Sequence, residues 1–125
     1  MTQKYNKFSF ISRLKSFKYA FNGIFNFFKN EPNARVQSLA AIVVIGLGIF
    51  LRLAWAEWCL IVFAIALVLV AEIINSAIEK LVDIVSLEYN PKAAKIKDYA
   101  AGGVLFAAIA ASIIGMIVFI PKFIK

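Results

Sequence analysis

Histidine is absent from the 125 residues, so imidazole is excluded both as a zinc ligand and as a proton carrier. Any proton transfer on this chain falls to a carboxylate, a lysine, a tyrosine or water. Cysteine occurs once, at Cys59, which excludes an internal disulfide and reads as a small apolar packing residue opening a hydrophobic run. Acid is scarce as well: seven Asp and Glu stand against fourteen Lys and Arg, for a net charge of +7. No GxxxxGK[ST] occurs, so a P-loop is excluded, and Gly102-Gly103 lies inside an apolar run where it reads as helix packing. Charged residues make up only 17 % of the chain and apolar ones 62 %, the balance of an integral membrane protein with room for one domain. The first 35 residues are basic and aromatic with no compact apolar core or cleavage site, unlike a secretory signal.

What is present falls into segments. Residues 8 to 29, FSFISRLKSFKYAFNGIFNFFK, place Phe10, Leu14, Phe17, Phe21 and Ile24 at steps of three or four, with Arg13, Lys15 and Lys18 among them. That spacing predicts an amphipathic helix in the headgroup layer, loosened in the middle by Asn22 and Gly23. NEPN, 30 to 33, is a break, with Pro32 suited to the first turn of a new helix. Three spans are predicted, at about 34–51, 57–87 and 99–120, the last ending at Pro121. RLAWAEW connects the first two and carries Trp55 and Trp58, as membrane interfaces do. A polar loop, EYNPKAAKIKD, is expected over 88–98. The basic residues are lopsided. Lys4, Lys7, Arg13, Lys15, Lys18 and Lys29 precede the first span and Lys92, Lys95 and Lys97 follow the second, against Arg52, Lys122 and Lys125 on the other side. By the positive-inside rule the N-terminus and the second loop face the cytoplasm. These cations adjoin apolar spans, and no nucleic-acid partner is expected.

The second span ends in AEIINSAIEKLVD, where Glu72, Asn75, Glu79 and Asp83 share one stripe of a helix turning about 100° per residue. Carboxylates beside hydrocarbon are costly and are rarely accidental. Three readings fit. The stripe is the wet face of a helix leaving the membrane; or Glu72 relays protons for a small transporter; or Glu79 and Glu31 offer hard oxygen ligands to magnesium, with Lys97 and Asp98 completing a nucleotide site. Spacing alone does not choose among them.

The run EIINSAIEKLVD, with NEPNAR before the first span and AAKIKDYAAGGVL after the second, resembles the prokaryotic diacylglycerol kinase family, which includes undecaprenol kinases. The likeness covers nearly the whole chain, in order. SFKYAFNGI and AAGGVL are closer to the undecaprenol kinase branch. The resemblance implies an all-α, three-span lipid kinase with a surface helix, a homotrimer in the bacterial inner membrane with sites between neighbouring chains. It implies ATP as co-substrate, Mg2+ as metal and a membrane lipid alcohol, diacylglycerol or undecaprenol, as acceptor. Glu72 matches the family's general base, Asn75 the asparagine beside it, and Glu31 and Glu79 the metal carboxylates. Arg13, Tyr19, Glu88, Tyr89, Asn90, Lys97 and Asp98 match positions at the nucleotide. The family often has histidine where Asn90 stands. The rival class is a non-catalytic membrane subunit or a proton-coupled transporter.

Overall fold

A computed structural model describes residues 9–124, which form four helices and, among the described residues, no strand. Helix α1 spans Phe10–Asn30, α2 Pro32–Phe50, α3 Trp55–Val85 and α4 Pro91–Ile124. The last three are long and apolar enough to cross a membrane, so the all-α membrane architecture expected from the sequence is the one observed. The expected start of the surface helix at residue 8, with Lys4, Lys7 and Lys125, lies outside the described residues.

Ser9 opens α1, its Oγ accepting from the Ser12 N–H at 3.1 Å and satisfying one of the donors a helix start leaves free. The helix then runs unbroken through Asn22 and Gly23. One interior glycine costs only about 1 kcal/mol, too little to break a helix of this length. Phe27 is the buried residue of α1, whereas Phe10, Leu14, Phe17 and Phe21 point outward, as an interfacial helix requires. Glu31 is extended and ends α1, and Pro32 begins α2, where its missing N–H is no loss. The Arg35 guanidinium donates to the Lys29 carbonyl at 2.6 Å, so a residue of α2 caps the end of α1.

The reversal between α2 and α3 is tight. Arg52 adopts φ 57, and the Leu53 N–H donates to the Gly48 carbonyl at 3.2 Å. A Cβ on Gly48 would sit 2.9 Å from Leu53 Cδ1 and 2.9 Å from Trp58 Cη2, so only bare backbone fits beneath this corner. Trp58 is thus packed into the bundle, while Trp55 is the exposed one of the pair. Leu53 joins Ile61 of α3 and Val118 of α4 in the core.

Helix α4 departs from the expected boundaries at both ends. It begins at Pro91, so Lys92 to Asp98, expected in a loop, form its first two turns. Asn90 explains this: its Oδ1 accepts the Lys92 N–H at 2.8 Å, and Pro91 sits where a helix tolerates proline. The connection shrinks to 86–90. Helix α4 also continues through Pro121 to Ile124, so Pro121 lies within its last turn and does not end the span as expected. Short connections force α2, α3 and α4 to alternate in direction. The α2 start, α3 end and α4 start therefore meet at one end of the bundle, where the polar contacts gather.

Candidate functional site at the end of the third helix

The polar stripe of α3 changes character along its length. Glu72 is 2 % exposed, and Asn75 and Ser76 are buried beside it. One to three turns further on, Glu79 and Asp83 are open. Helices α2 and α4 both pack on α3 and cover the deeper half, while the last turns protrude. A carboxylate as enclosed as that of Glu72 requires a donor. Asn33 supplies it, its Nδ2 donating to Glu72 Oε2 at 3.3 Å. Asn75 Oδ1, by contrast, is buried without any partner in the described structure. An orphaned carbonyl of this kind costs about 1–3 kcal/mol, which marks it as a group kept for something else.

Two ion pairs close the open end. Lys80 of α3 lies 2.9 Å from Glu31 at the α1–α2 junction, and Lys97 of α4 lies 2.6 Å from Asp83. Glu79 sits within electrostatic range of both lysines but bonds to neither. Glu72, Asn75, Glu79, Glu31 and Lys97 are therefore brought to one end of the bundle. Asp98 follows Lys97 on α4 and is exposed. Glu88, Tyr89 and Asn90 lie in the short connection, where Asn90 serves as the α4 cap and the Glu88 carbonyl accepts from Ser86 Oγ at 3.0 Å. Tyr19 and Arg13 are exposed on α1. Tyr19, Glu88, Tyr89 and Asn90 make no hydrogen bond or ion pair to the α3 stripe within one chain.

Two participants escape the sequence reading: Asn33 is there only part of a break, and Lys80 is not singled out at all. A polar residue two positions after Glu31, at the mouth of an apolar span, was the available sign for Asn33. Nothing local pairs Lys80 with a residue forty-nine positions away.

Among the described residues no group of three or more acidic or cysteine side chains forms a self-sufficient metal cage. Glu31 and Glu79 with the orphan Asn75 oxygen are nonetheless hard oxygen donors. They suit a magnesium ion that takes its remaining ligands from phosphate and water. Above them, α2, α3 and α4 enclose an apolar cleft of about 290 Å³ that reaches Val68 and Leu69, one turn short of Glu72. Gln37, one turn along α2 from Asn33, borders the same cleft.

Fold and site together define a small helical membrane protein whose ionisable groups converge where a buried helix emerges, next to space lined by hydrocarbon. Known proteins of this description exist. Residues 18–119 match the prokaryotic diacylglycerol kinase family. The undecaprenol kinase of Bacillus subtilis (strain 168) is 36 % identical over 108 residues, covering 86 % of this chain and 88 % of that protein. A diacylglycerol kinase of Synechocystis sp. is 35 % identical over 113 residues, covering 90 % of this chain and 65 % of its own length. The diacylglycerol kinase of Escherichia coli (strain K12) is 30 % identical over 108 residues, covering 86 % and 88 %. The chain belongs to the prokaryotic diacylglycerol kinase family. It is an enzyme of the lipid kinase class, and a kinase requires a nucleotide co-substrate.

Proposed function

We propose that this enzyme transfers the γ-phosphoryl group of ATP, with Mg2+, to the hydroxyl of a membrane lipid alcohol at the cytoplasmic face of the bacterial inner membrane. The observation that carries this reading is the graded stripe of α3: an enclosed carboxylate, Glu72, stands above an open one, Glu79. Seven residues at about 1.5 Å each set them about 10 Å apart along the helix. Acceptor and donor thereby meet without either leaving its own medium.

Each side chain has a task. Glu72 Oε1, left free by the Asn33 bond to Oε2, takes the proton of the lipid hydroxyl. The lipid oxygen then bonds to the γ-phosphorus as the bond from that phosphorus to the bridging oxygen of ADP breaks. The products are ADP and a lipid phosphate monoester, and the proton on Glu72 passes to water. Asn75 orients groups between base and metal with its unpartnered oxygen. Glu31 and Glu79 would hold the magnesium, which when bound neutralises phosphate charge. Lys97 and Asp98 are assigned to the nucleotide, with Lys97 adding positive charge at the transferred group. The apolar cleft beginning at Val68 and Leu69 accommodates hydrocarbon of the acceptor.

Arg13, Tyr19, Glu88, Tyr89 and Asn90 are assigned to the nucleotide in a homotrimer, where a neighbouring chain closes the open end of the stripe. Lys92, Lys95 and Lys97 at this end, against Arg52 and Lys122 at the other, support a cytoplasmic site. The test is radiolabelled ATP with the purified chain in detergent micelles, supplied in parallel with diacylglycerol and undecaprenol. Label in a lipid product is expected, and the preferred acceptor identifies the substrate. No lipid product in micelles, together with flux of a solute or of protons without ATP consumption in proteoliposomes of the same chain, would overturn the kinase reading and establish a transporter.

A further inference from the structure

We propose that Lys80 holds the Glu31 carboxylate while the site is empty and is released to nucleotide phosphate when Glu31 turns to a divalent cation. This rests on the lipid kinase reading of the same site. The ion pair is 2.9 Å long, and its two members differ in freedom: the Lys80 side chain is 69 % exposed and that of Glu31 21 %. Glu31 is fixed at the junction of two helices, whereas Lys80 extends a flexible four-carbon stem from α3. Exposed pairs of this kind are weak, so exchange of partner is easy.

A lysine at a carboxylate meant for metal would be an obstacle if it had nowhere else to go. Here it has. Lys80 follows Glu79 directly and precedes Asp83 by three residues, so it sits beside the carboxylates at the open end of the stripe. Once Glu31 is taken, the ammonium is free to turn to the phosphates of a nucleotide held at Glu79. The pair at the opposite end behaves differently by construction. Glu57 accepts both Lys122 at 2.9 Å and the Ala54 N–H at 2.8 Å on one oxygen, so two donors hold its carboxylate in place. Glu31 has Lys80 and no such second donor.

Lys80→Gln separates the two halves of this exchange. In the full chain in micelles, Mn2+ binding followed by electron paramagnetic resonance without nucleotide should tighten about two- to fivefold, because the competitor for Glu31 is gone. At saturating Mn2+, where Glu31 is already taken, binding of a non-hydrolysable ATP analogue should weaken by a similar factor, about two- to fivefold, because a phosphate cation is gone. Lys80→Arg should retain both wild-type affinities, and Lys92→Gln, which removes a cation outside the pair, should change neither. Two affinities that move together, or do not move, would overturn the role of Lys80 alone. A wild-type chain that binds neither Mn2+ nor the analogue would instead overturn the lipid kinase reading beneath it.

Discussion

The two ends of the helical bundle each join a lysine to a glutamate across helices, yet they are not alike. At the far end Glu57 caps the start of α3 through the Ala54 N–H and takes Lys122 of α4 on the same oxygen, beside a corner packed over Gly48. At the near end Glu72 has one long hydrogen bond, Glu79 has none, and Asn75 Oδ1 is enclosed with nothing to accept. The far end spends its polar groups on holding helices together. The near end pairs Glu31 and Asp83 with lysines but leaves Glu79 and the Asn75 oxygen unengaged. Capacity left over inside a packed structure, more than the mere presence of charge, separates the site from the scaffold.

The contrast can be broken at several points. Glu72→Gln preserves shape and removes the base. Turnover should fall about 10²- to 10⁴-fold with nucleotide affinity retained, as read by kcat alongside equilibrium binding of an ATP analogue. A variant that keeps its turnover would return Glu72 to the scaffold. Asn33→Ala should lower kcat about tenfold with a smaller change in KM, since one hydrogen bond to a charged group is worth about 1.5 kcal/mol at the low end. Restoration by Asn33→Gln but not by Asn33→Leu would tie the effect to the donated N–H. At the far end, Gly48→Ala should cost about 1–3 kcal/mol of stability through the clash with Leu53 and Trp58, measured by thermal or denaturant unfolding in micelles. The turnover of its folded fraction should be that of wild type. Glu57→Gln should have the smallest effect, a slight drop in melting temperature and unchanged kcat. A large loss of turnover there would erase the distinction between the ends.

Much of this is legible in the sequence. Apolar runs of membrane-crossing length, broken by Pro32 and by RLAW, marked the spans, because length and hydropathy are summed over many residues and tolerate local error. The stripe from Glu72 to Asp83 was visible because a helix repeats, so side chains three and four apart must share a face. The loop expected over 88–98 was misplaced because Lys92, Lys95 and Asp98 look like solvent-bound residues. Asn90 and Pro91 nevertheless start a helix there by capping it, whatever polar residues follow. Trp58 was read as an interfacial ring from its composition and neighbours. The turn at Arg52 folds it back onto Gly48.

The sequence by itself determined that this is a membrane protein of three apolar helices with a polar and acidic stripe along one face of the second. Those properties are sums and periodicities along a single chain segment. Only the tertiary structure decided which of the acids are enclosed, that Asn33 reaches Glu72, that Lys80 rests on Glu31, and that Asn75 has an oxygen to spare. Each of these is a meeting between helices or an enclosure made by several of them. Whether an acid ends up buried or wet depends on what the neighbouring helices cover, and no local pattern encodes that.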